Sequence, residues 1–556
     1  MTTESDHLML EDMDKSEVFV NSHLYDNDNI EVRYSQALDP WRWTKGYLHA
    51  LGESMFLQGI IAIFILLYLQ DLRIDRNRLR TAIANSRAKT GVHTEPYVHR
   101  SFLDRMSTHL RAFTYRRKHW WLWRKGLGGI SLGLALIIAA GWAYPMLYVF
   151  TQHPYYRMFA WYGPPGIAGR SGMIAVAITP FSIALGMKAN WVSLVTGVGH
   201  ERLNVLHRWL GLLCGVMAVI HTVPFLYEPV RDGGWGALRE KLLHGKGNIY
   251  YWNGFAALAC LLWLDVASLP FLRRWRYEFF VHLHIICGVG YLAMLFWHCA
   301  DMLTSWHYLW TTVVVWASGL VWRFGWKTNW FSEGRFMKGE MGTVSRLVDD
   351  GVKITIQTKM KWRPGQHIFL RIPEVSYLDN HPFTIASVMK DDGDDLPSPS
   401  SGTTADTTAH LKSSAAAVAT TATTPTDTHS TEDGVNEMVL VFKPYKGFTK
   451  KMFDISRRLN DVSYRVLLDG PYGGMPRMLE SFDTVLLIAG GSGITPVVAH
   501  LQDLCRKIKK GRAVTQDVRI VWTVKRFGML YLSIHLSIRL SVSPYIYLII
   551  QLPLVC

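Results

Sequence analysis

The sequence predicts a multi-pass α-helical transmembrane domain followed by a cytosolic antiparallel β-barrel and a partial α/β domain. Apolar runs long enough to cross a bilayer recur between about residues 55 and 326. From about Met341 the pattern changes to short alternating strands separated by Pro and Gly, and a later strand leads into a glycine-rich turn at Gly490. At 556 residues the chain is too long for one core, so several domains are expected.

Seven apolar runs are candidate membrane spans: residues 55–69, 127–149, 172–194, 206–226, 254–272, 279–299 and 306–322. A strongly basic segment between the first two runs is cytoplasmic by the positive-inside rule. It includes Arg73, Arg76, Arg78, Arg80, Arg116, Arg117, Lys118, Arg124 and Lys125. Counting spans places a second basic cluster, Arg273, Arg274 and Arg276, on the same side. Seven crossings therefore predict an extracellular N-terminus and a cytoplasmic chain after about Lys327.

Charge and cysteine usage argue against two other classes of protein. The net charge is +15, but the basic residues flank apolar runs instead of following one soluble face, so no nucleic-acid binding is predicted. Four of the six cysteines lie in or at the end of apolar runs, without the spacing of a disulfide framework or a zinc site. Cys214, Cys260, Cys287 and Cys299 are interpreted as packing residues.

The pattern divides the chain into five segments. Residues 1–50 form an acidic extracellular N-terminal segment without a cleavable signal, so the first span acts as the insertion signal. Residues 51–330 form the membrane domain and residues 331–478 the barrel. Within the barrel, residues 391–433 are mostly Asp, Ser, Thr, Ala, Gly and Pro, which predicts a disordered insert that loops out between two strands.

The fourth and fifth segments are the partial α/β domain, residues 479–526, and an aberrant C-terminal tail, residues 527–556. A strand at 484–489, a helix at 494–508 and a second strand at 517–524 are predicted in the former. The tail resembles neither another α/β repeat nor a good membrane span, because His535 and Arg539 interrupt it. A domain of this type needs about 100 residues or more. The expectation is a chain that stops partway through the domain, for which a gene-model error is one hypothesis.

Four histidines have matched spacing in two spans. His207 and His221 lie fourteen residues apart, as do His284 and His298. Fourteen residues turn a helix nearly four times and rise about 21 Å, so each pair projects from one face at two depths. With both helices running outwards, His207 meets His284 near the inner leaflet and His221 meets His298 near the outer one. This geometry suits two stacked haems, each with two axial imidazoles.

Other residues in these spans have ordinary roles as alternatives. A lone intramembrane histidine is more often a hydrogen-bonded packing residue, but four with matched spacing favour ligation. His282 faces about 200° away from His284 and is not predicted to be a ligand. Arg202 and Arg208 flank the inner pair, where propionate binding and positive-inside anchoring remain alternative roles.

Three motifs in the soluble half indicate cofactor binding. A Pro-Gly-Gln-His run at 364–367 precedes a predicted strand made of His381, Pro382, Phe383, Thr384, Ile385, Ala386 and Ser387. On its own this run predicts a strand with a turn-forming Pro, and it is also similar to the flavin motif of the family named below. A candidate anion-binding helix start follows Lys446 at Gly447, Phe448 and Thr449, with a plain N-cap role for the threonine as the alternative. A candidate nucleotide loop consists of Gly490, Gly491, Ser492, Gly493, Ile494, Thr495 and Pro496.

These runs resemble the fungal ferric reductases of the ferric reductase and NADPH oxidase superfamily. The resemblance rests on residues 196–209, on residues 274–284 and on the soluble motifs, including Asp469 to Gly473 at the end of the barrel, and covers roughly 120–526 without the insert. It implies that NADPH passes a hydride to FAD, and that single electrons then cross two b-type haems bound by His207, His221, His284 and His298. The family's distal Cys-Gly motif and terminal aromatic residue are absent, so nicotinamide positioning is in doubt.

The resemblance also implies a location, a substrate and partners. It implies a plasma-membrane protein that reduces extracellular ferric or cupric chelates, supports metal uptake and has a metal permease as a candidate downstream partner. A superoxide-generating NADPH oxidase with the same cofactors is the first alternative. An electron-inactive truncated product is the second, and a histidine-bearing transporter, which leaves the soluble half unexplained, is the third.

Overall fold

The computed structural model describes most of the two predicted halves. The described residues are 40–88, 102–117, 129–153, 155–156, 165–244, 248–275, 277–328, 339–347, 350–376, 380–389, 434–459, 461–523 and 546–551. The N-terminal segment 1–39, the predicted insert 391–433 and most of the tail lie outside them. The chain forms two compact units. One contains Met1–Met337, Tyr472–Val485 and Lys507–Val518, and the other contains Lys338–Pro471, Leu486–Arg506 and Arg519–Cys556.

The first unit is built from helices. They are α1 (Pro40–Ala88), α2 (Phe102–Thr114), α3 (Leu132–Thr151), α4 (Gly166–Gly186), α5 (Trp191–Thr196), α6 (His200–Leu243), α7 (Asn248–Ala267), α8 (Pro270–Trp275), α9 (Tyr277–Cys299) and α10 (Ser305–Trp322). Six described helices, α1, α3, α4, α6, α7 and α9, are long and apolar enough to cross a membrane. Helices suit this environment because each satisfies its own backbone hydrogen bonds without water.

The predicted seventh span is less apolar than the other six. Residues 306–322 do form a helix, α10, of 18 residues, but four tryptophans together with serine, threonine and histidine lower its hydropathy. The prediction of seven spans is therefore confirmed for six. Helix α1, at 49 residues, is also far longer than the predicted 55–69 span, so the basic residues that follow that span continue the helix.

Helix α4 lies at the centre of the membrane helices. It packs against α1, α6 and α10, and an unbroken run of its residues from Met173 to Pro180 is buried. Glycine, alanine and serine supply much of its sequence, and such small residues let neighbouring helix backbones approach closely. The neighbouring α6 is interrupted at Gly233 and Gly234, where the backbone leaves the helical region.

The second unit contains the predicted antiparallel barrel. Its strands are β1 (Glu340–Leu347), β2 (Gly351–Thr358), β3 (Gln366–Arg371), β4 (His381–Thr384), β5 (Asn436–Phe442) and β6 (Val462–Gly473), with α11 (Phe448–Arg458) before β6. The sheet order is β4-β3-β6-β1-β2-β5. A bridge between Ile385 and Leu440 joins the two ends, and the amide of Ala386 donates to the carbonyl of Val439 at 2.8 Å. Because the end strands meet, the sheet closes around its core.

The α/β elements follow the predicted order. Strand β7 (Thr484–Gly490) leads through a short 3-10 turn into α12 (Ile494–Lys509), and then β8 (Asp517–Thr523) lies beside β7. The strand–glycine turn–helix prediction is confirmed. A further strand, β9 (Ile546–Gln551), lies on the other side of β8 and was not predicted. The tail thus contributes a strand to this three-stranded sheet.

The barrel closure predicts that the insert is dispensable. Because Ile385 and Leu440 already hold the flanking strands together, replacing residues 391–433 with a short Gly-Ser linker should change the barrel's unfolding free energy by less than about 1 kcal/mol. Thermal unfolding with FAD content as the second readout would measure this. Loss of FAD from the shortened protein would show that the insert contributes to the fold.

Candidate functional site

The structure brings the four predicted histidines together in two pairs. The ring centroids of His207 and His284 lie 6.1 Å apart, and those of His221 and His298 lie 5.9 Å apart. All four side chains are half-buried. The first histidine of each pair comes from α6 and the second from α9, so the pairing matches the one expected from fourteen-residue spacing.

Hydrogen bonds to backbone carbonyl groups orient three of these rings. Nδ1 of His207 donates to the carbonyl of Ser182 at 2.8 Å, and Nδ1 of His221 donates to that of Ala168 at 2.9 Å. Nδ1 of His298 lies 3.0 Å from the carbonyl oxygen of Tyr250. A carbonyl can only accept, so Nδ1 carries the proton and Nε2 keeps its lone pair for a metal. Nδ1 of His284 is buried without a hydrogen-bond partner in the described part of the chain.

Glycines on the neighbouring helices make room for three of the rings. A Cβ at Gly172 would lie 2.4 Å from Nδ1 of His221, and one at Gly186 would lie 3.0 Å from Nδ1 of His207. On α7, a Cβ at Gly254 would lie 2.7 Å from the ring of His298. Gly172 and Gly186 are themselves fourteen residues apart on α4, so their spacing repeats that of the histidines on α6.

The spacing of each pair fits a metal ion held between two imidazoles. Two rings that coordinate one ion through Nε2, with bonds of about 2 Å, have centroids about 6 Å apart. The observed separations of 6.1 and 5.9 Å agree with this value. With Nδ1 engaged by carbonyl groups, the residues present fit a haem iron with two axial histidines at each level.

The other residues singled out in these spans have different positions. His282 is exposed, whereas its neighbour His284 is half-buried, in agreement with the prediction that it is not a ligand. Arg202 and Arg208 are both exposed. Their two alternative roles therefore stay open.

A polar cluster between the two levels was not predicted. Sγ of Cys214 lies 3.6 Å from the hydroxyl of Tyr291. Both side chains also form a hydrogen bond with the side chain of Thr179. Cys214, Tyr291 and Thr179 are all buried. Cys214 lies seven residues from each paired histidine of α6, and Tyr291 lies seven residues from each paired histidine of α9. On α4, Thr179 likewise lies seven residues from the two glycines that face the histidine rings. Three helices are thus joined by polar side chains halfway between the pairs. Cys214 therefore packs in the core, as the sequence indicated, and also takes part in a hydrogen-bonded cluster.

In the barrel, the two predicted flavin motifs lie together. The rings of His381 and Phe448 stack with centroids 5.1 Å apart, which joins the start of β4 to the start of α11. Phe383 is buried in the barrel core, and so are Ile385 and Ala386, whereas Pro382 and Thr384 are on the more exposed face of the strand. The hydroxyl of Ser387 accepts from the amide of Val439 at 3.0 Å. Within this motif, Pro382 and Thr384 are therefore more available to a ligand than the buried Phe383, Ile385 and Ala386.

The start of α11 has uncapped amide groups. Gly447 is the N-cap, with φ 58° and no side-chain hydrogen bond to the helix. The hydroxyl of Thr449 instead accepts from the amide of Tyr445 at 3.1 Å and donates to the carbonyl of Lys446 at 3.2 Å. The N-cap alternative for this threonine is wrong. Uncapped amides at a helix start are suited to binding an anion.

The predicted nucleotide loop lies at the carboxyl end of β7. Ser492 and Gly493 are exposed there, whereas Ile494 and Thr495 are buried at the start of α12, and Pro496 occupies its first turn. The indole of Trp522, which is buried on β8, donates to the carbonyl of Gly491 at 3.0 Å. A strand end, exposed glycines and a helix start are together the usual cradle for a phosphate.

Family models match three successive parts of the chain. The match to the ferric reductase-like transmembrane component covers residues 171–295, which include His207, His221 and His284, and His298 lies three residues beyond its end. An FAD-binding domain matches residues 337–475, and a ferric reductase NAD-binding domain matches residues 482–535. The protein thus carries a flavin domain and a nicotinamide-nucleotide domain after its membrane helices.

Curated relatives give the same result over longer stretches. Ferric/cupric reductase transmembrane component 7 of Saccharomyces cerevisiae is 30% identical over 87% of this chain and 68% of its own length. The chain belongs to the ferric reductase family. The probable cell surface ferric reductase kap2 of Aspergillus oryzae is 39% identical over 72% of the chain and 49% of its own length. The chain therefore spans about half the length of this reductase.

The helix start in the flavin domain of this reductase family member can be tested at Gly447. Its φ of 58° and ψ of −127° lie outside the regions open to L-residues and would cost one about 1–3 kcal/mol, so Gly447→Ala should distort the first turn of α11 and weaken FAD binding by roughly tenfold. Fluorescence titration with FAD would measure this. The exposed Asp454 on the same helix supplies the control, because Asp454→Ala should bind FAD normally. Equal affinity in both variants would contradict the proposed anion site.

Proposed function

We propose that the protein carries electrons from cytosolic NADPH through FAD and two b-type haems to ferric or cupric chelates outside the cell. The two histidine pairs support this most directly. Each pair joins one ring from α6 to one from α9, with ring centroids 6.1 Å apart in one pair and 5.9 Å apart in the other. Family membership supports the same direction, since the relatives are named ferric or ferric/cupric reductases. The proposed location is the plasma membrane, with the C-terminal half in the cytoplasm.

The membrane histidines hold and orient the haems in this proposal. His207 and His284 would hold the inner haem, and His221 and His298 the outer one. When bound, flavin divides a two-electron donor into single electrons, and bis-histidine haem transfers them one at a time. The carbonyl groups of Ser182, Ala168 and Tyr250 hold three Nδ1 protons and so keep the corresponding Nε2 atoms available.

Two imidazoles per iron favour electron transfer over ligand activation. With two histidines at each level, both axial positions of a bound haem would be held by protein, so no coordination position would be left for oxygen or a metal chelate. The outer histidine pair, His221 and His298, would then hold the haem that passes electrons to an external acceptor without coordinating it. Oxygen could accept an electron without coordination in the same way, so the histidine pairs do not distinguish a reductase of metal chelates from an oxidase. The names of the relatives, ferric and ferric/cupric reductases, favour metal chelates, and the proposal then includes a role in metal uptake with a metal permease as the downstream partner.

On the cytosolic side, the residues bind and orient the donor. Pro382 and Thr384 would contact the flavin, and the amides that follow Gly447 would hold its pyrophosphate. The exposed loop from Gly490 to Gly493 receives the phosphates of NADPH. The nicotinamide must also lie close to the flavin for transfer, and no described residue is assigned that task.

A superoxide-generating oxidase is the alternative that shares these cofactors. The two functions differ in the acceptor alone. Membranes that consume NADPH should reduce ferric chelates at a rate that superoxide dismutase does not change. If superoxide release accounts for the NADPH consumed and added ferric chelate leaves it unchanged, the protein is an oxidase.

The outer histidine pair can be tested by substitution. His221→Ala or His298→Ala should remove one of two haems per chain and leave the inner one reducible by dithionite, because each haem depends on its own pair. Haem per protein and the reduced-minus-oxidised spectrum would measure this. His282→Ala is the matched control on α9 and should keep both haems. An unchanged haem count in both outer variants would refute the ligand assignment.

Two glycines on α4 give a second test that leaves every ligand in place. A Cβ at Gly172 would lie 2.4 Å from Nδ1 of His221, whereas one at Gly169 would have no heavy atom within 4 Å. Gly172→Ala should therefore displace the ring and lower the outer-haem content severalfold, and Gly169→Ala should not. The haem spectrum of each variant would separate them. Equal haem content in the two variants would show that binding of the outer haem does not depend on the present position of the His221 ring.

A further inference from the structure

Helix α1 continues beyond its apolar part with two chemically different faces. Successive residues of a helix are about 100° apart, so Arg73, Arg76 and Arg80 fall within about 60° of one another. The acidic residues Asp71 and Asp75 lie on the opposite side of the same two turns. The two faces therefore contact different surroundings.

The acidic face is occupied by the protein itself. Asp75 is fully buried and accepts from Arg477 Nε at 2.7 Å and from the Ser481 hydroxyl at 3.0 Å. Asp71 pairs with Arg111. Burial alone would lower the pKa of Arg477, but its hydrogen bond to Asp75 and the nearby acidic charges raise it above its ordinary value. These contacts fix the rotation of α1 about its axis.

The opposite face is exposed and basic. Arg73, Arg76 and Arg80 line a groove of about 340 Å³ together with Leu69, Leu72 and Asn77. The three arginines are exposed, and within the described part of the chain none of them forms an ion pair. The groove thus combines three guanidinium groups with an apolar floor at one end.

The position of this groove along α1 matches the edge of the bilayer. The predicted apolar run ends at Leu69, and with a rise of 1.5 Å per residue Arg73 lies about 6 Å beyond it, Arg76 about 10 Å and Arg80 about 16 Å. The headgroup region on each side of the hydrocarbon core is about 5–8 Å thick. Leu69 therefore lies at the acyl boundary, and Leu72 and Arg73 lie within the headgroup region. The backbone of Arg76 lies just beyond this region and that of Arg80 about 8–11 Å beyond it, and both side chains are tilted back towards the membrane because Cα–Cβ bonds point to the helix N-terminus.

We propose that this groove binds the headgroup of an anionic phospholipid, with its acyl chains against Leu69 and Leu72. Guanidinium groups bind phosphate oxygens in a bidentate geometry, and three of them carry more positive charge than a zwitterionic headgroup neutralises. A headgroup with net negative charge is therefore preferred. Because α1 cannot rotate, the site belongs to this one face of the helix.

The test uses the full-length protein in detergent, titrated with short-chain phosphatidylserine and followed by native mass spectrometry. The variant Arg73→Gln/Arg76→Gln/Arg80→Gln should bind phosphatidylserine about 100-fold more weakly. Each arginine near the membrane surface raises the affinity for an anionic lipid roughly fivefold, and the variant lacks three of them. Arg73→Lys/Arg76→Lys/Arg80→Lys keeps the charge and should lose much less. An unchanged melting temperature of the glutamine variant would show that it still folds.

Arg105→Gln/Arg116→Gln/Arg117→Gln is the matched control, because it removes three exposed arginines near the same membrane surface but outside the groove. It should bind phosphatidylserine normally. Equal losses in the two glutamine variants would overturn the site and indicate general charge attraction. Phosphatidylcholine binding as tight as phosphatidylserine binding would also overturn it, and so would competition by millimolar inorganic phosphate alone, since that would indicate a free-anion site.

Discussion

The membrane half depends on one constraint, namely that two imidazoles from different helices must lie about 6 Å apart at two levels simultaneously. Fourteen residues bring each helix back to nearly the same face, so one relative position of α6 and α9 serves both pairs. Helices α4 and α7 must then approach the rings closely enough for their carbonyl groups to accept the Nδ1 protons. Glycines permit that approach, because a Cβ at Gly172 or Gly254 would overlap a ring.

The same constraint explains why polar groups lie inside an apolar bundle. In a bilayer an unsatisfied polar group is costly, so a partner within the protein stabilises each such group, and among the four histidines only Nδ1 of His284 has none in the described part of the chain. The carbonyl groups of Ser182 and Ala168 serve both their own helix and a histidine. Cys214 and Tyr291 satisfy each other halfway between the pairs. In the soluble barrel, water can satisfy exposed polar groups. In the predicted flavin motif, Phe383 and Ile385 therefore pack in the core, while Pro382 and Thr384 remain more accessible.

The features that were predicted from the sequence are those determined by residue spacing and by the residues of turns. The pairing of His207 with His284, the closed barrel and the turn from β7 into α12 follow from periodicity and from glycine positions, and all three are present in the structure. The glycines opposite the histidines, the Cys214 cluster and the pairing of Asp75 with Arg477 were not predicted. Each depends on which helix or segment packs against which, and separations of about 20 to 400 residues leave no local pattern. The strand β9 was missed because its composition resembles no regular α/β repeat.

The most direct test of the account is the haem stoichiometry and spin state of the purified wild-type chain. Pyridine haemochrome analysis should give two b-type haems per chain, and low-temperature electron paramagnetic resonance should show that both are low-spin with two nitrogen ligands, since each iron is placed between two imidazoles. A single haem per chain, or a stoichiometric high-spin signal that shows an open axial position, would contradict the central claim.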